Sequence, residues 1–234
     1  MKKLVIASAL VLSFTACQKN EKIVSDTKEL DSVTVADQDS VAVETLPVSK
    51  NQTFLKKFRQ IELDSTAFIA PEYGDNSTGP AITHEEIALF PETLSLAGFS
   101  NPDVRGFEAH SKFDINENLM GIVARMPGEY SFTSLKLFFY DKTKDAFLPQ
   151  YFELADIFGD AGYYEEVKSW LWKDGENLKS LLYRQTKVEK IEPDDPVRES
   201  KTEDYYLVKL NPAKMDSSRV SKDDLQAFQK LIQR

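Results

Sequence analysis

Apolar and polar residues divide the chain into three parts. Residues 4–12 are almost all apolar, residues 18–50 are polar and contain no aromatic residue, and a repeating apolar pattern begins near residue 51. From residue 106 apolar positions alternate with polar ones, which is typical of strands with one buried face. The predicted strands are residues 107–115, 119–126, 132–141, 146–154, 165–173, 178–188 and 204–210. Turn-forming residues separate them, so the pattern predicts an antiparallel meander.

The clearest hairpin joins residues 135–140 to residues 147–152 through a polar turn. Side chains alternate across a strand, so Leu135, Leu137 and Phe139 lie on one face. We predict that this face, rather than the opposite one, packs on the core.

Three short helices are predicted around the strands, because apolar residues there recur every three or four positions. The apolar residues of the first are Phe54, Leu55, Phe58 and Ile61, and those of the last, near the C-terminus, are Leu225, Phe228, Leu231 and Ile232. A strand is the competing interpretation of residues 54–63. The middle helix begins after Thr83, and Thr83 and Glu86 have the spacing of a capping box. The predicted fold is therefore mainly β, an antiparallel meander sheet or barrel-like domain with short flanking helices and a C-terminal helix.

The N-terminal residues have the form of a secretory signal. Two lysines precede the apolar run, which is too short for the roughly 20 residues of a membrane-spanning helix. The run ends in Ser-Phe-Thr-Ala-Cys at residues 13–17, which resembles the lipobox of bacterial lipoproteins, with Phe14 where leucine is usual. The resemblance implies that residues 1–16 are removed and that Cys17 is acylated. It also implies the outer membrane, because Gln18 rather than aspartate follows the cysteine. The alternative is an ordinary signal peptide in which Cys17 is incidental.

Residues 18–50 are predicted to be a tether. Seven acidic residues and four lysines are interleaved with small polar and aliphatic residues, and such a segment buries too little apolar surface to offset its ordering entropy. Residues 33–35 and 41–43 alternate briefly, so an added edge strand is the alternative. The predicted organisation is a signal peptide at residues 1–16, a lipidated cysteine and acidic tether at residues 17–50, and one globular domain at residues 51–234.

The charge of the chain restricts its partners. Loss of Lys2 and Lys3 with the signal peptide takes the net charge from −9 to −11, which argues against a nucleic-acid partner and against a basic patch for anionic lipids. Membrane contact is expected through the lipid on Cys17 alone. Because Cys17 is the only cysteine and there are two histidines, we expect no disulfide, no structural zinc site and no cofactor.

A second predicted hairpin carries the candidate ligand-binding residues. Residues 170–172 pair with residues 181–183 across an Asp-Gly turn at residues 174–175. Trp170 and Trp172 are two positions apart on one strand, so both indoles point to the same side and form a platform suited to a sugar face or an aliphatic ligand. A place in the core is the competing interpretation, and Trp170 is expected to be more buried than Trp172.

The sequence therefore predicts a lipid-anchored envelope protein with a non-catalytic binding, accessory or scaffolding role and an envelope protein or glycan as partner. One alternative is a carrier of an apolar ligand, because a meander followed by a C-terminal helix on a lipid-anchored chain resembles bacterial lipocalins. The other is a hydrolase that uses His84 or His110 with a serine and an aspartate. No Gly-x-Ser-x-Gly elbow or phosphate-binding glycine loop accompanies these histidines, so no catalytic residue is assigned.

Overall fold

The computed structural model of the chain describes residues 48–70, 79–91, 106–126, 134–192 and 196–233. Residues 46–234 form one compact unit. The predicted signal peptide, Cys17 and nearly all of the predicted tether lie outside the described residues. No helix within the described ranges combines the length and the apolar composition needed to cross a membrane.

The described elements are mostly strands. In chain order they are α1 (Lys50–Leu55), β1 (Arg59–Gln60), β2 (Thr66–Ile69), α2 (His84–Ile87), β3 (Glu108–Asp114), β4 (Leu119–Met126), β5 (Ser134–Asp141), β6 (Ala146–Asp160), β7 (Tyr163–Asp174), β8 (Asn177–Val188), β9 (Ser200–Leu210), β10 (Asp216–Arg219), a 3₁₀ helix (Asp224–Phe228) and α3 (Gln229–Ile232). The 3₁₀ helix and α3 follow one another directly and are together called the C-terminal helix.

The strands form one open sheet. Their order is β1-β3-β4-β5-β6-β7-β8-β9-β10, and β2 pairs with β7 beside this path. β1 pairs with β3 in parallel, and every other pairing among these strands is antiparallel. The predicted mainly β meander with flanking helices is confirmed, in its sheet form rather than its barrel form. The two predicted hairpins are also present, since Leu137 pairs with Phe152 and Trp170 pairs with Leu181.

The sheet has two halves that share strand β6: a first half made of β1 and β3 to β5, and a second half made of β7 to β10 with β2. Strand β6 contributes to both halves. Its residues 146–155 pair with β5, and its residues 156–160 pair with β7. β2 pairs with residues 168–171 of β7, which follow the residues of β7 that pair with β6. Lys173 Nζ on β7 donates a 3.2 Å hydrogen bond to the carbonyl of Asp114 on β3, although several strands at about 4.8 Å spacing separate β3 from β7 in the sheet order. The sheet therefore folds over on itself.

An inner core lies between the two halves. Its most buried side chains include Phe68, Phe113, Val123, Leu137, Phe139, Leu154, Leu171, Leu178 and Val208. Gly121, opposite Phe113 on the neighbouring strand, leaves room for that ring, because a Cβ at Gly121 would lie 2.4 Å from Phe113 Cζ. The interior is filled by these side chains.

The outer face of the first half is covered by the N-terminal helices. Phe54 and Phe58 from the α1 region and Phe90 after α2 pack on Phe138 and Tyr140 of β5. The prediction that one face of this strand packs on the core was therefore incomplete, because both faces are buried. The predicted helix at residues 54–63 is also corrected: α1 ends at Leu55 and residues 59–60 pair with β3.

The helix starts are fixed by side-chain caps. The Ser49 hydroxyl accepts from the Gln52 amide at 3.0 Å at the start of α1. The predicted capping box of α2 is present, with Thr83 and Glu86 satisfying each other's backbone amides. Asp145, in the β5–β6 turn, accepts a hydrogen bond from the Tyr140 hydroxyl, and the hydrogen bonds from Ser49 and then Tyr140 lower the pKa of its carboxyl. This carboxylate ties α1 to the sheet.

The C-terminal helix covers the outer face of the second half. Phe228, Leu231 and Ile232 pack on a small cluster whose buried members are Trp170, Leu181 and Tyr183. We call this cluster the C-terminal outer core, and three of the four predicted apolar residues of the helix belong to it. Before this helix, the Asp224 amide donates a hydrogen bond to the Ser221 hydroxyl at 3.1 Å.

Candidate functional site

Strand β9 is longer than the strand that covers it. β9 pairs with β8 along its whole length, from Ser200 to Leu210. β10 pairs only with residues 206–209 of β9, and the last hydrogen bond between the two runs from the Val220 amide to the Tyr205 carbonyl at 2.8 Å. After Ser221 the chain turns away into the C-terminal helix. Among the strands that the structure describes, none pairs with the outer side of residues 200–204, which we call the open edge.

The open edge presents backbone hydrogen-bonding groups. The Tyr205 carbonyl points toward β10, because it accepts from Val220. The amide and carbonyl of successive residues point to opposite sides of a strand, so those of Glu203 and Lys201 point to the same outer side as Tyr205. Thr202 and Asp204 direct theirs to β8.

A groove of about 910 Å³ runs along the open edge. It is lined by Lys201, Glu203, Asp204, Tyr205, Arg219, Val220, Ser221, Lys222 and Leu225. Most of these side chains are charged and of both signs. Lys201 Nζ lies 2.7 Å from the Glu203 carboxylate, and Arg219 pairs with Asp204. The hydrogen bond between Lys201 and Glu203 lowers the pKa of Glu203 and raises the pKa of Lys201.

Aromatic rings continue the floor of the groove onto the outer face of the sheet. The Tyr183 and Tyr205 ring centroids are 5.0 Å apart, and Lys168 Nζ lies 5.9 Å from the Tyr183 ring centroid. Gln185 Nε2 donates to the Tyr183 hydroxyl at 2.6 Å. Burial, followed by the nearby Tyr183, raises the pKa of Tyr205. The groove therefore combines flat apolar rings with paired charges.

The tryptophan platform lies on the same face but beneath the C-terminal helix. Trp170 is 6% exposed, whereas Trp172 is half-buried and its ring centroid lies 6.2 Å from that of Phe228. This is the order of burial that the sequence predicts. A ligand reaches both indoles together only after the C-terminal helix moves.

The two histidines are far from equivalent. His84 is exposed in the first turn of α2. His110 is half-buried at a register shift of β3, where its Nδ1 lies 2.9 Å from Ser111 Oγ. Burial, with a smaller effect of Arg59, lowers the pKa of His110. Ser111 is fully buried, so its hydroxyl is closed to a substrate, and the described residues give His110 no carboxylate hydrogen-bond partner.

A metal site and the small cavity beside His110 are two further candidate sites. In the part of the chain that the structure describes, no group of three or more His, Cys, Asp or Glu residues is arranged to hold a metal ion. A small cavity of about 140 Å³ beside His110 is bordered by Lys57 and Arg59. Lys57 is already occupied by the Glu86 carboxylate at 2.6 Å and the Ala81 carbonyl at 2.9 Å.

The sequence interpretation missed the open edge. The strand was predicted to begin at residue 204, whereas β9 begins at Ser200. The residues that β8 and β9 place opposite each other could have indicated the longer strand, because Thr186 lies opposite Thr202 and Arg184 lies opposite Asp204.

Comparisons of the chain with protein-family models, with curated proteins and with solved structures found no match. The geometry of the open edge and its groove is therefore the sole support for the candidate site.

Proposed function

We propose that this protein is a lipid-anchored component of the bacterial cell envelope with a non-catalytic binding or scaffolding role. The anchor is the lipid on Cys17, as the resemblance to the lipobox implies. We further propose that the domain binds an extended segment of an envelope protein along the open edge of β9. The observation that carries this proposal is the pair of outward-facing backbone positions, Lys201 and Glu203, beside an accessible groove.

Strand addition is the binding mode that fits these groups. An extended segment placed beside β9 makes backbone hydrogen bonds that supply affinity, and the flanking side chains select the sequence of the segment. Open strand edges attract other chains, and folded proteins usually cover or block them. Here β10 covers only part of β9, and the groove leaves space beside the remainder.

The surface of the groove supports a protein segment as the ligand. Paired acids and bases, Lys201 with Glu203 and Arg219 with Asp204, offer partners for charges of either sign. Tyr205 and Leu225 add apolar surface. The tether supports this role, because 33 residues at roughly 5–6 Å times the square root of their number give the domain a reach of about 30 Å from the membrane.

The decisive experiment blocks the open edge without disturbing the ladder to β8. Glu203→Pro removes an amide that points into the groove, and proline is tolerated at edge positions for that reason. The matched control is Ser217→Pro, whose amide points away from β9 on the far side of β10 and lies outside the groove. Circular dichroism and thermal melting check that both variants remain folded.

Each variant is purified from a mild detergent extract of membranes, and the copurifying envelope proteins are compared. We expect a protein, either another envelope protein or a differently tagged, co-expressed copy of this chain, that is recovered with the wild type and with Ser217→Pro but lost with Glu203→Pro. Equal recovery with all three chains contradicts binding at the open edge.

The anchor is tested separately: Cys17→Ser should move the protein from the detergent phase to the aqueous phase of a phase separation, and a wild type already in the aqueous phase contradicts the lipid anchor.

A further inference from the structure

We infer that the occupant of the open edge is a second copy of this chain, whose own open edge pairs with it in antiparallel orientation about a two-fold axis at Thr202. This inference rests on the proposed function, because it names the partner at the same edge. A two-fold interface of this kind is self-complementary and closed.

The backbone directions satisfy the symmetry. With the axis at Thr202, Lys201 of one copy lies opposite Glu203 of the other. Both residues point their amide and carbonyl outward, so each such pair can exchange two backbone hydrogen bonds. Thr202 lies opposite its own copy in a position without ladder hydrogen bonds, where side chains approach most closely. Five residues of each copy, 200–204, are available for this pairing.

The charges select this register over its neighbours. Lys201 and Glu203 lie on the same face and already pair along the strand at 2.7 Å. Across the two-fold axis each would meet the opposite charge of the other copy, so that the four charges alternate in sign around a square. A shift of the axis to Lys201 places lysine opposite lysine, and a shift to Glu203 places glutamate opposite glutamate. Like charges directly opposite each other destabilise a strand pair, so only the axis at Thr202 satisfies both copies.

The surroundings fix the length of the pairing. Beyond Asp204 the carbonyl of Tyr205 is occupied by the Val220 amide, so the second copy must leave the strand there. The groove of about 910 Å³ at that point gives the departing chain room. A pairing of this length is weak in dilute solution, and copies anchored by lipid to one membrane have a higher effective concentration.

The register can be tested with a single thiol. In the chain of residues 17–234 with Cys17→Ser, Thr202→Cys supplies the only cysteine. Opposed Cβ atoms in such a pair lie about 4.5–5.5 Å apart, close to the roughly 3.5–4.5 Å of a disulfide. We expect a disulfide-linked dimer under mild oxidation. The control, Ser217→Cys on the exposed outer strand, should remain mostly monomeric. Equal crosslinking of both variants contradicts the register.

The charge pattern can be tested by reversal and swap. Lys201→Glu replaces two ion pairs between the copies by two repulsions, so we expect self-association roughly tenfold weaker. The double variant Lys201→Glu/Glu203→Lys should recover self-association but should not pair with the wild type. Sedimentation equilibrium measures the self-association of each variant. It is carried out at about 150 mM salt, where the Debye length is about 8 Å and the repulsion between the acidic chains is limited.

The outcomes separate this inference from the proposed function. A wild type that stays monomeric in solution, without Thr202→Cys crosslinking on membranes, overturns the second-copy inference. So does a dimer that Lys201→Glu leaves unchanged. If Glu203→Pro still loses a copurifying envelope protein of another kind, the open edge binds that protein and the proposed function stands.

Discussion

Replacement of Trp170 by alanine tests how the C-terminal outer core contributes to stability. A tryptophan side chain buries about 200 Å², which at about 25 cal/mol per Å² gives an upper limit near 5 kcal/mol. Measured losses for deletion of a large buried aromatic side chain are about 3–5 kcal/mol. Trp170 is 6% exposed, but the helix that covers it is itself half-exposed and can settle into the space. We therefore expect a loss near the lower value, about 3 kcal/mol.

Trp172→Ala is the matched comparison. Trp172 is half-buried, and among aromatic rings it contacts Phe228 at a centroid distance of 6.2 Å. Its removal deletes less buried surface and leaves a space that is open to solvent, so we expect a smaller loss, of about 1–2 kcal/mol. Urea unfolding followed by circular dichroism gives both values on the same scale. A loss below about 1 kcal/mol for Trp170→Ala would refute this reasoning, and would return the tryptophan platform to consideration as a ligand surface.

Three further predictions concern separate parts of the chain. Limited proteolysis should trim the tether up to the start of α1, whose N-cap is Ser49, and leave a stable domain, whereas strong amide protection within the tether would identify an added strand. Gly121→Ala should cost about 1–3 kcal/mol by urea unfolding, because the new Cβ meets the Phe113 ring. Burial lowers the pKa of His110, so its contribution to stability is present above the unfolded pKa of about 6.5 and is lost as the pH falls through the folded pKa. Thermal melts should show His110→Gln flattening that part of the pH profile, while His84→Gln, a change at an exposed residue, leaves it unaltered.

The strands that alternate most strongly were predictable from the sequence. β4 has the predicted bounds, and the predicted strand at residues 178–188 differs from β8 by a single residue. β6 was predicted to end at residue 154 but continues to Asp160, because its last residues change partner from β5 to β7. Local periodicity does not report such a change of partner. For the same reason, Phe138 and Tyr140 were assigned to the face away from the core, although residues distant in sequence cover them.

The open edge was harder to predict because polar strands lack a hydrophobic period. Residues 200–203 are Ser-Lys-Thr-Glu, a composition that on its own indicates an exposed connection. They are strand because β8 supplies partners for them through residues 185–188. The tryptophans illustrate the opposite case: their shared face followed from spacing alone, but the helix that covers them is a tertiary feature. Sequence reasoning therefore locates faces, whereas tertiary packing decides which faces remain accessible.

The short chain segment that crosses between the two halves of the sheet has a mechanical consequence. The tether enters the domain at α1, which packs on the first half, whereas β9 belongs to the second half. From α1 the backbone passes through β1 on β3 and reaches β2 on β7 within a few residues. If the proposed anchor and the proposed partner on β9 both hold, a pull between them passes from β2 to β7 and β8, and β4 and β5 lie outside this path. Tension on the anchor would therefore pull α1 and β1 away from the sheet before it loads the strands that hold the partner.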